Sequence, residues 1–446
     1  MVTPTTRRSI ATVCVVLFLL LASRGTAIGL PPVQRTVLDN GLVLLVSGEH
    51  SLSFITMALL VKTGSKDDPA GREGLADLTA SCLLLGAAGR SLEEINEELD
   101  FMGAQMSADS SRDYTMVTLK VLKKDFERAL AIFMEVVTKP DFPGNEVKKE
   151  VARTLAALRS SEDQPGVVAE RAFSRALYMG GPYGHPPEGT IESVSKLKKA
   201  MLNEFHKAHY YPNNAILVVV GDIDEAAVKG TLTPRLEKWQ KGTIPAGAME
   251  VKFESRKETI KIGKPVTQSN IVIGNGGMSR DNPDYYAALV MNYILGGGGL
   301  TSRLMENIRI GKGLAYSVGS YLEGRKYPGP FEVYLQTKSS STKDAIKAVM
   351  EELERVRSGP VSEKELGDAK KYIVGSFPQR FSTQARIASF FAQVEYFGLG
   401  LDYAERYPSL IQGITRQDVQ RVAQTYIHPD NAVTVIVADL KAAGLE

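Results

Sequence analysis

HYYPNNAILVVVGD spans His209 to Asp222, and YIHPDNAVTVIVAD spans Tyr426 to Asp439. The second follows the first at an offset of 217 residues, matching in its Pro-x-Asn turn and in the apolar run behind it. That run, AILVVVG from Ala215 to Gly221 in the first copy, reads as a buried strand. Two further segments keep the same offset. Pro143 and Glu146 fall on Pro360 and Glu363, while Ala129, Ile132, Phe133 and Val136 fall on Ile346, Val349, Met350 and Leu353. Three segments sharing one offset predict a duplicated domain, with a period too long for a solenoid.

Strands and helices alternate around these anchors. Leu42 to Ser47 and Phe54 to Lys62 read as strands. In Tyr114 to Leu122, Thr115, Val117, Leu119 and Val121 share one face, and Phe331, Val333 and Leu335 repeat that alternation in the second half. Gly74 to Leu85 has the helical spacing Leu75, Leu78, Cys82, Leu85. Ser91-x-x-Glu94 is a capping box for the next helix. Phe126, Ala129, Leu130, Phe133 and Val137 mark an amphipathic helix ahead of Pro140, and Glu146 to Ser160 continues as helix. The fold class expected is α+β: two homologous domains, each a mainly antiparallel sheet flanked by helices. The first domain takes 28–237, a linker 238–250 (best seen in KWQKGTIPAG, from Lys238), and the second domain 251–446.

Of the 446 residues 43% are hydrophobic, ample for two cores, and 53 basic residues nearly cancel 51 acidic ones. Nothing in that balance points to a nucleic-acid partner. Residues 1–27 read as a signal peptide: Arg7 and Arg8, the apolar run Ile10 to Ala22, then small residues to Ala27. An uncleaved anchor is the alternative. The mature chain is expected to be exported, periplasmic or extracellular, without stable membrane insertion. It keeps only Cys82, a buried thiol by its spacing, so no intrachain disulfide is expected.

A glycine-rich stretch, Gly296 to Tyr316 (GGGGLTSRLMENIRIGKGLAY), places Arg309 and Tyr316 seven residues apart around one turn, beside the loop Gly296, Gly297, Gly298 and Gly299. Both side chains can donate a hydrogen bond to a carbonyl or an oxyanion. No phosphate-binding GxxxxGK[ST] pattern accompanies the glycines. Of the histidines, His206 and His209 are three apart on a helix and read as a solvated face.

With LDNGL, TGS…GREGLA, GPYGHPPEGT and YYPNNAILVVVGD, the glycine-rich stretch resembles the pitrilysin/insulinase family of zinc metallopeptidases, in its short bacterial members similar to mitochondrial processing peptidase. The likeness runs from roughly Val33 to Asp439. That family carries an inverted zinc motif, His-x-x-Glu-His, on a helix. Ligands at i and i+4 share a face there, with the base beside them. After GLA this chain reads Asp77-Leu78-Thr79-Ala80-Ser81, and alignment on the EDQP turn puts the remote ligand position at Ala157. Both His ligands, the base and the third ligand are replaced by Asp77, Ser81, Ala80 and Ala157.

The resemblance also implies an Arg, six residues and a Tyr behind a Gly-rich loop, matched by Arg309 and Tyr316 with Gly296 to Gly299 as substrate-binding loop. Ile310 departs from the acidic residue common there. The expectation is therefore a non-catalytic subunit of an exported heterodimeric zinc peptidase. It holds no cofactor itself, the zinc sits in a related catalytic partner, and the substrate is a peptide lying along a sheet edge. The alternatives are a silent binding or assembly protein of the same fold, and a stand-alone peptidase with ligands rearranged around Asp77.

Overall fold

The strand Ala215–Gly221 is buried at every residue because both its faces are covered. The computed structural model describes residues 30–245, 251–253 and 256–446. The expected signal peptide and residues 246–250 of the expected linker lie outside them. Numbered along the chain, the strands are β1 (Gln34–Val37), β2 (Val43–Gly48), β3 (Phe54–Val61), β4 (Gly86–Ala87), β5 (Arg90–Ser91), β6 (Gln105–Ser110), β7 (Thr115–Leu122), β8 (Ala215–Gly221), β9 (Glu258–Gly263), β10 (Gln268–Gly276), β11 (Ser317–Leu322), β12 (Pro330–Lys338) and β13 (Val433–Ala438).

The first sheet has the order β1-β2-β8-β3-β7-β6, and the second β11-β12-β10-β13-β9. Read backwards, the second is the counterpart of β2-β8-β3-β7-β6, so the duplication seen in the sequence is a duplication of topology. In each sheet a single parallel pair, β2 with β8 and β13 with β9, sits among antiparallel ones. Each half is thus an α+β layer of mainly antiparallel strands with helices. Ser91 caps the helix Leu92–Phe101 as the capping box predicts, accepting from the Glu94 N–H at 3.2 Å. Thr115, Val117, Leu119 and Val121 alternate inward.

The halves are joined by an exchange. In the first half, the helix Pro165–Leu177 leaves its own sheet and packs on β13 and β10 of the second. Its counterpart, Gln384–Tyr396, packs on β8 and β3 of the first. Ile216, Val218 and Val220 therefore join one core with Ile387, Ala388 and Phe391, while Leu217 and Val219 point into the first half's own core. Reciprocally, Ala169, Phe173 and Leu177 pack with Val433, Val435 and Val437. Polar contacts follow the same seam. Arg35 on β1 reaches both oxygens of Glu395, at 3.0 and 3.1 Å from its Nε. Gln384 donates to Glu49 at 2.7 Å. The buried Asp113 accepts the Lys326 N–H at 2.9 Å.

Two expectations need adjusting. His206 does not lie on a solvated face: it is 8% exposed, with Nε2 2.8 Å from the Val137 carbonyl and its ring stacked on Tyr210. Burial pushes its imidazole down to about 4. The helix Lys199–His209 packs this side against the first core, where a neutral ring with one satisfied nitrogen costs little. Trp239, inside the stretch read as linker, is buried against that core, and its carbonyl accepts from the Asn40 amide at 2.8 Å.

Because the exchanged helices seal both sheets, Phe173→Ala is expected to cost about 3–5 kcal/mol in urea unfolding. It should keep one cooperative transition for both halves. A loss confined to a separate early transition would show that the halves fold independently.

Candidate functional site

The helix Leu75–Cys82 carries the altered zinc positions, and sequence motifs far apart in the chain fix its start. Gly74, at φ +92°, lies against Gly189, and a Cβ on Gly74 would fall 2.6 Å from the Glu188 carbonyl oxygen. The half-buried Asp68 accepts from the Gly74 and Ala76 N–H groups, both at 2.7 Å, and so caps the helix. The TGS…GREGLA and GPYGHPPEGT stretches thus meet at one point. The helix packs on Gly144–Glu162, which bears Ala157.

Asp77, Ala80, Ser81 and Ala157 do not fit a zinc ion. Ala80 is fully buried and, like Ala157, offers no donor atom; Ala157 faces solvent. Among the described residues no three His, Cys, Asp or Glu side chains converge where an ion could sit. What stands at the locus instead is a group of acids with paired cations. Glu150 accepts from Arg153 Nε at 2.9 Å, and Glu188 from Arg171 at 2.8 Å. Burial pushes Asp77 up to about 6, helped by the negative charges of Glu188, Glu150 and Asp109 and opposed by Arg153. Cys82 is buried as its spacing predicts, and burial raises its thiol well above the ordinary range.

In the second half, the Gly-rich stretch forms compact turns. Tyr293–Gly297 and Met305–Gly311 are wide π-type segments on either side of a single 3-10 turn, Gly299–Thr301. The chain from Met305 to Gly311 winds wider than an α-helix, its end closed by the Lys312 N–H to the Asn307 carbonyl at 3.2 Å. Gly296 is buried, and a Cβ there would meet the Ser320 backbone nitrogen at 2.4 Å. Gly297 and Gly298 would press on Asn292 and Tyr293. Gly299, at φ +61°, faces open space. The loop's inner glycines are thus required by close packing, Gly296 on β11 and Gly297 and Gly298 on Asn292 and Tyr293, and only its outer end is free.

Arg309 is exposed, with Met305 Sδ 4.0 Å from its guanidinium. Tyr316 is 46% exposed, and its backbone N–H is fixed to the Gln336 carbonyl at 2.8 Å. Among the described residues neither side chain donates to an oxygen of this chain. Tyr316 stands at the entrance to β11, an edge strand of the second sheet, and Arg309 in the π-type segment that precedes it, both with donors unspent. Sequence reading passed over a recess just beyond them, lined by Tyr321, Glu332 and Tyr334. The signal was there in the even positions of β12, which are polar opposite the apolar Phe331, Val333 and Leu335.

The raised Asp77 gives a signed test. Its folded carboxyl resists ionising between its ordinary value, near 3.8, and about 6. The protein therefore carries a penalty that is present at pH 7–8 and fades as pH falls toward 4. Asp77→Asn is expected to stabilise by about 1–2 kcal/mol at pH 8, after allowance for partial solvent access, and by almost nothing at pH 4. Equal gains at both pH values in denaturant titrations would remove the charge argument.

Residues 43–191 match the family model described as Insulinase (Peptidase family M16), and residues 196–373 match the one described as Peptidase M16 inactive domain. An uncharacterized zinc protease of Streptomyces coelicolor is 28% identical over 356 residues, 78% of this chain and 77% of that protein. The crystal structure of a peptidase M16 inactive domain from Pseudomonas fluorescens superposes with a TM-score of 0.84 at 28% identity, covering 91% of this chain and 98% of that one. A protease from Helicobacter pylori shares the fold, with a TM-score of 0.84 at 20% identity over 92% of this chain and 100% of that one. The chain belongs to peptidase family M16, the insulinase family, as a non-catalytic member whose zinc-motif positions hold Asp77, Ala80, Ser81 and Ala157.

Proposed function

We propose that this protein is the donor subunit of an exported two-subunit zinc peptidase, supplying Arg309 and Tyr316 to the active site of a related partner that holds the zinc. One observation carries the reading: the chain lacks ligands at its own motif, yet presents an exposed guanidinium and an exposed phenol at the entrance to an open sheet edge. Alone, these donors can do nothing to a peptide bond. Beside a partner's site, where zinc activates water, the Tyr316 hydroxyl and the Arg309 guanidinium donate to the substrate carbonyl oxygen as negative charge builds on it. The terminal strands β6 and β11 each leave one edge unpaired, which suits an extended peptide adding as a further strand.

The test is a peptidase assay on the tagged mature chain recovered from its native host, against the same chain from a recombinant host. Chelator-sensitive hydrolysis of a quenched peptide is expected only in the native material, together with a co-purifying zinc-bearing relative. Activity in the recombinant chain alone would overturn the reading of Asp77 to Ser81. In the assembled pair, Tyr316→Phe is expected to lower kcat about 100-fold while leaving the complex intact. Unchanged turnover would instead favour a binding or assembly role.

A further inference from the structure

We propose that the recess beside Tyr316, between the helix Pro165–Leu177 and the β11–β12 edge, receives a basic side chain, arginine or lysine, of the bound peptide. The recess measures about 240 Å³. Phe331, Val333 and Leu335 point into the core, so Glu332, Tyr334 and Gln336 turn the other way and line it. Glu332 is 8% exposed, and among the described residues no donor reaches its carboxylate. A buried carboxylate left without a partner is costly unless something else supplies the donor.

The surroundings fit a cation. Tyr321, the cross-strand neighbour of Glu332, stacks on Tyr334 with ring centroids 5.3 Å apart, an aromatic wall that can accept a guanidinium or ammonium. Gly319 keeps the space beneath that wall, since a Cβ there would lie 2.5 Å from the Tyr334 hydroxyl. Glu170, exposed on the exchanged helix, adds a second carboxylate at the mouth. None of the neighbouring cations donates to Glu332. Arg112 donates to the Tyr183 and His185 carbonyls, Arg171 to Glu188 at 2.8 Å, and the buried Arg325 to Glu323 through Nη2 alone, its Nε and Nη1 having no partner among the described residues.

Burial, reinforced by Glu170 and Glu323 and moderated by Arg325 and Arg112, pushes Glu332 up to about 8. An entering cation opposes that shift, favours the ionised form and draws the proton off. The position is apt for specificity: Ser317, next in sequence to Tyr316, lines the same recess. A peptide carbonyl held at Tyr316 would have a neighbouring side chain within reach.

The inference rests on the donor-subunit reading for its substrate, but its test needs no partner. Short acetylated peptides differing at one position, arginine against its neutral isostere citrulline, are titrated into the recombinant mature chain by calorimetry. The arginine peptide is expected to bind at least about tenfold tighter, with proton release at pH 7 revealed by changing the buffer. Glu332→Gln should abolish both the preference and the proton release while raising the thermal midpoint, and Glu170→Gln should weaken the preference with its midpoint unchanged. Tyr321→Ala, at an exposed position that should not unfold the protein, should also weaken it. Equal affinity for the two peptides, no binding of either, or a preference surviving Glu332→Gln overturns the assignment. Arginine selectivity without chelator-sensitive activity in the native assay would keep the recess and remove the donor role. The converse result would do the reverse.

Discussion

The exchange of two helices between the halves is the constraint on which the other features depend. Helix Pro165–Leu177 lies on β10 and β13, and helix Gln384–Tyr396 on β3 and β8. Each sheet receives its second cover from the other half, so neither has a complete core on its own. Each foreign helix covers the middle of a sheet and not its terminal strands. Those strands include β6 in the first sheet and β11 in the second, and both loci of interest lie beside them. Asp77 feels the charge of Asp109 on β6, and Tyr316 leads directly into β11. One packing solution, used twice, thus provides the rigidity and leaves the accessible edges.

Duplication also lets the two loci differ independently. The loci sit in different halves, on segments with different packing demands. At the first, Ala80 is sealed in the core, so a short apolar side chain there serves packing whatever chemistry is absent. At the second, Gly296 is held by the Ser320 backbone, and this fixes the path of the chain into β11. Arg309 and Tyr316 are not needed for that path: their side chains project from backbone positions already determined. Their donors are surplus to folding, which makes a structural explanation for them weak.

How much the sequence disclosed depended on whether the relevant interaction was local. Ser91 and Glu94 are three residues apart and announce their own helix. The alternation of Thr115, Val117, Leu119 and Val121 is a property of a single strand, and the repeat at 217 residues is enough by itself to imply a paired topology. What stayed hidden was the identity of the surface each face meets. The apolar face of Pro165–Leu177 does not say that it belongs to the other sheet. His206 on a polar-looking helix gives no sign that Val137 and Tyr210 wait for it across 69 residues of chain and one turn away. The wide turns around the glycines depend on Asn292, Tyr293 and Ser320, which no local pattern links to them. Glu332 is visible as a polar residue in an alternating strand, but its want of a partner exists only in three dimensions.

Asp77 and Glu332 share an unusual property. Each is a carboxyl group held away from water, and each is pushed toward its neutral form, to about 6 and about 8. Folding stability alone opposes both, because at neutral pH ionising either group costs more in the folded chain than in the unfolded one. An apolar or amide side chain would remove the penalty without leaving a cavity. They differ in what surrounds them. Asp77 stands among acids already paired with cations, Glu150 with Arg153 and Glu188 with Arg171, in a locus where no metal-ligand set converges among the described residues. Glu332 faces a shaped recess with stacked aromatic rings, next to donors that remain unspent. A cost carried beside vacant binding groups has an explanation that the same cost in a disused locus lacks: a ligand that brings a positive charge repays it.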